Sequence, residues 1–165
     1  MYKIKLLILL LINFIFLSCT KDSPNYNKVK YSVGYVSGEY DGLILKNLLT
    51  SNLSNLDLYD VNSIYKIESS ISHSSGLFIT NIDNTSDRMR VNSDVTFEIV
   101  DQKFKCVISK YKKSISQYYI FADTDKYISN NEAEKKIKEE NTEALTKDFI
   151  NKLKKPKAIC KKLNE

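Results

Sequence analysis

Arg88-Met89-Arg90-Val91-Asn92-Ser93-Asp94-Val95-Thr96-Phe97-Glu98-Ile99-Val100-Asp101 is the stretch on which the fold turns. Val91, Ser93, Val95, Phe97 and Ile99 alternate with Asn92, Asp94, Thr96 and Glu98. A period of two predicts a strand with one buried face. Asp101-Gln102-Lys103 predicts a hairpin turn, and residues 104–120 the returning strand. On that return Cys106, Ile108, Lys110 and Lys112 share one side, and Val107, Ser109, Tyr111 and Lys113 the other. Neither side is cleanly apolar, so the expectation is a strand that is partly exposed or partly paired with a partner.

Upstream, residues 81–87 are polar and turn-like, and Leu77-Phe78-Ile79 is a short apolar run after Gly76. Tyr65, Ile67, Ser69 and Ile71 again alternate with polar residues, which predicts another strand. Between about Tyr40 and Ser54 the period changes. Leu45, Leu48, Leu49, Asn52 and Leu56, with Leu53 alongside, follow helical spacing, and Gly42 weakens the start of that helix. Before it, Val29, Tyr31, Val33 and Tyr35 alternate with Lys28, Lys30, Ser32 and Gly34, predicting a first strand half buried through those four residues. Downstream, Ser129-Asn130-Asn131-Glu132 is a capping-box pattern opening a helix to about Lys154. Its stripe is Ala133, Ile137, Asn141, Ala144, Leu145, Phe149 and Leu153; glutamates come early, lysines late, and Pro156 stops it. The order strand–helix–strands–helix predicts an α+β fold: an antiparallel four-stranded sheet with two helices packed on one face.

The N-terminus has another character. Lys3 and Lys5 precede an apolar run, Leu6 to Leu17, broken only by Asn13. About twelve apolar residues fall short of the roughly 20 that a helix needs to cross a bilayer, so the run predicts an export signal. It ends Phe16-Leu17-Ser18-Cys19, followed by polar Thr20-Lys21-Asp22-Ser23. This resembles the lipobox of bacterial lipoproteins, which implies that Cys19 becomes the lipidated first residue of the mature chain. Acyl chains on it would hold the protein on a membrane durably, since one chain alone anchors only marginally. The alternative is a secreted protein with a chance cysteine at its cleavage point. The expected organisation is a signal over 1–18, a lipidated tether over 19–26, one domain over 27–155 and a basic tail over 156–165.

Removing residues 1–18 leaves 147 residues carrying 23 Lys and Arg against 20 Asp and Glu, a mild positive excess. Lys152, Lys154, Lys155, Lys157, Lys161 and Lys162 concentrate near the C-terminus, a run suited either to anionic lipid or to plain solvation. Besides Cys19 there are two cysteines, Cys106 and Cys160, and an oxidising export compartment allows a disulfide between them. A buried thiol at Cys106 is the alternative.

Catalytic chemistry has little to draw on. His73 is the one histidine, and Ser72-His73-Ser74-Ser75-Gly76 reads as a solvated loop. No Cys or His pair has zinc-ligand spacing, and no Gly-rich phosphate loop occurs. The expectation is no enzyme, no cofactor, no metal and no nucleic-acid partner. Tyr is the commonest aromatic, 11 residues against 7 Phe and no Trp, and it serves interfaces and sheet packing equally.

This layout resembles the lipopolysaccharide-assembly lipoprotein family, LptE. The resemblance is carried by the lipobox, by residues 88–101 as basic residue, strand and Asp-containing turn, and by Leu45-Lys46-Asn47-Leu48-Leu49 in the first helix. Residues 114–127 followed by Asn131-Glu132-Ala133-Glu134 match the family's strand, loop and acidic helix start. A Gly usual after Asp101 is missing. The resemblance implies an outer-membrane lipoprotein on the periplasmic side. Such a protein plugs and helps assemble an LptD-type barrel and takes part in delivering lipopolysaccharide to the outer leaflet. It further implies that Arg88 and Arg90 meet lipopolysaccharide phosphates, a role suited to the bidentate guanidinium. Thr20, rather than Asp, after the cysteine implies outer-membrane sorting. Two other readings are an auxiliary lipoprotein of an ABC-type lipid transport system and a lineage-specific binding lipoprotein.

Overall fold

The computed structural model describes residues 29–78, 88–120 and 127–153. Six elements follow one another: β1 (Ser32–Ser37), α1 (Glu39–Asn55), β2 (Tyr65–Leu77), β3 (Arg88–Asp101), β4 (Cys106–Ile120) and α2 (Tyr127–Lys152). The strands form one sheet in the order β1-β2-β3-β4, and both helices pack on one face of it. The α+β architecture is the expected one; the sheet, however, is mixed. β2, β3 and β4 are antiparallel neighbours, but β1 pairs with β2 in parallel. The reason is the connection. A parallel neighbour needs a crossover of a dozen or more residues, and the 17 residues of α1 supply it.

β3 alternates as its sequence predicts. Val91, Ser93, Val95, Phe97 and Ile99 are buried beneath the helices, whereas Arg90 and Asp94 are exposed on the other face. β2 contributes Ile67, Ser69 and Ile71 to the same core. From α1 come Leu45, Leu49 and Leu53, all fully buried; Leu56, expected on that stripe, lies past the helix end and is exposed. From α2 come Ile137, Leu145, Phe149 and Ile150. Phe149 stacks on Phe97, with ring centroids 4.1 Å apart and planes 9° from parallel.

Three local expectations fail for identifiable reasons. Just before β1 Tyr31 is buried, and within the strand Val33 packs on the core, but Tyr35 is exposed and Val36 turns inward. The register shifts between Val33 and Val36, and an irregularity of this kind exchanges the faces of the strand beyond it. In α2 the helix already includes Tyr127, so the Ser129 capping pattern lies inside it. Thr142 and Thr146 are buried where Ala144 was expected. Their hydroxyls donate to the carbonyls one turn back, at 2.7 Å each, which lets a polar residue sit in the core face.

Two backbone positions in the left-handed region shape the sheet's connections. Gly38 has φ 124 between β1 and α1, and a Cβ there would come within 2.7 Å of the Ile71 carbonyl oxygen, so only glycine fits. In the β3–β4 turn, Asp101 is buried and its Oδ1 accepts from the amides of Lys103 (2.8 Å) and Phe104 (3.1 Å). Lys105 closes that turn at φ 51, in place of the glycine such a conformation favours.

Candidate functional site

The polar and charged groups gather at one end of the sheet and beneath the helices. At one end β3 begins beside the end of β2. Phe78 N donates to the Arg88 carbonyl at 2.9 Å, holding the two strands together. Gly76 pairs with Arg90, which pairs in turn with Tyr118 of β4. The rings of Phe78 and Tyr118 lie 4.9 Å apart, and the Arg90 guanidinium carbon sits 5.9 Å from the Phe78 centroid. Arg88 and Arg90 are both exposed on the face away from the helices. A Cβ at Gly76 would meet nothing within 4 Å, so the surface beside Arg90 is open. With Tyr118 and Ile120 also exposed, this end joins two guanidinium groups to an aromatic and aliphatic surface. That combination suits an amphiphile carrying anionic groups, since the guanidiniums offer paired donors and the rings offer apolar area.

A second cluster lies under the helices and was not foreseen. His73, expected in a solvated loop, is part of β2, and its side chain is 98% buried, with only 2% exposed. The β2–β3 register faces it directly with Ser93. His73 Nδ1 lies 2.7 Å from Ser93 Oγ, Asn141 Nδ2 donates to that oxygen at 2.9 Å, and Gln117 Nε2 donates to Asn141 Oδ1 at 2.7 Å. The other ring nitrogen, Nε2, faces Asp41 of α1 at 3.8 Å and is buried without a hydrogen-bond partner. Burial holds the His73 pKa below its usual value; Asp41 acts against this and Lys138 with it. Period two would have found this residue, since His73 continues the parity of Ile67, Ser69 and Ile71. The surrounding serines suggested a loop instead.

The order Ser93–His73–Asp41 has the connectivity of a hydrolytic triad but not its accessibility. Ser93 is fully buried between sheet and α2, and Asn141 occupies its oxygen. A nucleophile must reach its substrate, so this chain of bonds works as a polar cross-link between the sheet and α2. Between α1 and α2 lies a cleft of about 370 Å³, lined by Tyr40, Asp41, Ile44, Glu134, Lys138 and Thr142 among others. Glu134 accepts from Ser75 (2.8 Å) and Lys138 (2.7 Å), and these contacts hold its pKa below the usual value against the opposing effect of burial. Among the described residues, no group of three His, Cys, Asp or Glu side chains is arranged to hold a metal ion.

β4 is an edge strand with no fully buried residue, in keeping with the partly exposed strand its sequence predicts. Tyr111 and Lys113 reach under α2 and donate to Asp148 Oδ2 at 2.5 and 2.6 Å, with Lys152 joining at 3.3 Å. The lysine and tyrosine donors hold the Asp148 carboxyl well below its usual range, while burial and the same carboxylate raise Tyr111. Cys106 opens β4 and is disulfide-bonded. Its expected partner Cys160 lies outside the described residues, as do Cys19, the signal and tether, and the tail over 156–165.

The fold has solved counterparts. A rare lipoprotein B from Shewanella oneidensis matches with a TM-score of 0.59 at 15% identity, over 75% of this chain and 92% of that one. A minor lipoprotein from Acinetobacter baumannii matches with a TM-score of 0.58 at 15% identity, over 76% and 90%. An uncharacterized lipoprotein B from Nitrosomonas europaea matches with a TM-score of 0.57 at 8% identity, over 74% and 79%. At such identities the likeness shows a shared fold. No family model matches the chain, and no curated protein sequence matches it.

Proposed function

We propose that the chain is a lipid-anchored envelope protein of the outer membrane, held through Cys19. In this reading it occupies an LptD-type barrel as plug and assembly partner and takes part in passing lipopolysaccharide to the outer leaflet. The observation that carries this reading is the cluster of exposed Arg88, Arg90 and Tyr118 around the half-buried Phe78, at the end of the sheet where β1 does not begin. Lipopolysaccharide is a phosphorylated amphiphile, and two guanidinium groups beside an apolar surface match both of its properties. The distance supports the same reading. From Arg88 to Asp101 the strand extends about 43 Å at the usual rise, close to the 40–45 Å of a bilayer with its headgroups. A domain anchored at one end could therefore present the arginines near the opposite surface, provided a barrel lumen shields it from lipid. The role proposed is binding and assembly rather than catalysis; among the described residues, the Ser93–His73 pair is buried beneath the helices.

The test is affinity purification of the tagged mature protein from detergent-solubilised outer membranes. A barrel protein recovered in roughly equal amount supports the reading. Recovery of an inner-membrane transporter instead supports the ABC-type auxiliary role, and recovery of no membrane protein removes the plug.

A further inference from the structure

The end of the domain opposite Arg88 has its own surface. Residues 29–32, 56–64 and 101–107 meet there. Tyr31 N donates to Leu58 O (2.8 Å), Asp60 N to Tyr31 O (3.0 Å) and Gln102 N to Ile64 O (2.8 Å), so the three segments form one connected tip. On it Phe104 is 65% exposed, Val61 70%, Val107 53% and Ile64 49%. Lys103 and Lys105 flank Phe104, and the Lys103 ammonium lies 5.6 Å from its ring centroid. The acids of this region are largely engaged: Asp101 is buried on the turn amides and Asp57 pairs with Lys30 at 3.2 Å, while Asp60 accepts from the Asn62 amide. Lysine also holds φ 51 at position 105, where glycine would sit without strain, so a cation stands at a backbone cost.

The described chain starts at this same end, with Val29. Cys19 lies ten residues earlier, a span of at most about 35 Å when fully extended. A domain on so short a leash keeps its near end at the membrane. An exposed aromatic between lysines is the pattern that enters an anionic lipid interface, with the ring in the acyl boundary and the ammonium groups among the phosphates.

We propose that the tip formed by Val61, Ile64, Phe104 and Val107, with Lys103 and Lys105, docks on the anionic phospholipid leaflet that carries the chain's own anchor. Docking orients the sheet so that Arg88 and Arg90 point away from that surface. The inference rests on lipidation of Cys19, and it requires no barrel partner.

The chain has no tryptophan, so Phe104→Trp gives a single reporter, with Ile120→Trp, 72% exposed at the other end, as its control. Each mature lipidated variant is placed in vesicles of phosphatidylethanolamine with brominated phosphatidylglycerol, and again in phosphatidylcholine vesicles with a brominated neutral lipid. Intact-mass measurement of the same samples reports the acyl chains, and circular dichroism reports folding. The expected result is a blue shift and bromine quenching at position 104 but not at 120. Both should be lost in phosphatidylcholine and on adding Lys103→Glu and Lys105→Glu. Water-like emission at 104 in the anionic vesicles overturns the proposal, as does equal quenching at 120. A blue shift that needs no vesicles and grows with protein concentration makes the tip a self-association surface and also overturns it. Missing acyl mass removes the premise and the proposal together. A lipidated chain that fails to dock leaves the barrel partnership standing.

Discussion

His73 Nδ1 and Ser93 Oγ lie 2.7 Å apart across the β2–β3 register, and the same hydroxyl accepts from Asn141 of α2. One small side chain therefore satisfies two buried polar groups on different elements. Ser93→Ala leaves both without a partner, and an unsatisfied buried group costs about 1–3 kcal/mol. The urea midpoint should fall accordingly with an unchanged slope. Asn141→Ala should cost a similar amount, and the double variant less than the sum, because the two share one network.

The buried imidazole also makes stability depend on pH. The folded-state pKa of His73 is depressed, with burial the largest cause. The unfolded chain then binds a proton that the folded chain refuses. The stabilisation is complete above the unfolded value of about 6.5 and is lost as pH falls from there through the folded value. Urea titrations from pH 8 down to 5 should show a falling midpoint below about pH 6.5. His73→Leu should flatten that slope, leaving the carboxylate losses at lower pH. Among those, Asp148 acts in the same direction: its depressed pKa gives stability that is present above its unfolded value and lost as pH falls through the folded one.

Strand β3, the three leucines of α1 and Ile137, Leu145 and Phe149 of α2 were legible because burial recurs there at the period of the element itself. The parallel pairing of β1 was not legible, because pairing direction depends on the route of the crossover rather than on local pattern. Tyr35 was misplaced because an irregularity in register leaves no mark in residue alternation. Thr142, Thr146 and His73 were missed for a shared reason: polarity argues for solvent unless a partner is known, and their partners are backbone carbonyls or residues 20 positions away. Of the site residues, only Arg88 and Arg90 could be picked out directly, and they open the central strand β3 rather than preceding it. The aromatic pair beside them depends on a three-strand register.

Phe149 tests how much of the fold hangs on the sheet–α2 contact. Its ring stacks on Phe97 and lies 5.6 Å from Tyr111, so truncation opens a cavity at the centre of the core. Phe149→Ala should cost about 3–5 kcal/mol, and Phe149→Leu clearly less. Calorimetric midpoints of the two variants check the order.

Cys106 is disulfide-bonded, and the lipidated form of Cys19 has no thiol to offer. The mature chain should therefore show no free thiol when denatured without reductant. Cys160→Ser should expose one, at Cys106, and lower stability by about 4 kcal/mol in the chain-entropy picture of a loop this long. A thiol titre that stays at zero in Cys160→Ser would rule out the pairing.

Arg90 separates lipid recognition from folding. It is exposed and rests on the Phe78 ring, so Arg90→Gln should change stability by no more than about 0.5 kcal/mol. If the guanidinium meets a phosphate, the same change should weaken lipopolysaccharide binding by about 1.5–3 kcal/mol, roughly tenfold to a hundredfold in Kd. Arg90→Lys should recover only part of this, since an ammonium keeps the charge but loses the paired donors and the stacking plane. The deficit should also shrink at high salt, where exposed charges are screened. Titration of the soluble domain against lipopolysaccharide at two ionic strengths, with Lys112→Gln as a control cation on the same face, checks all three. Equal losses from Arg90→Gln and Lys112→Gln would mean that net charge, rather than this site, attracts the lipid.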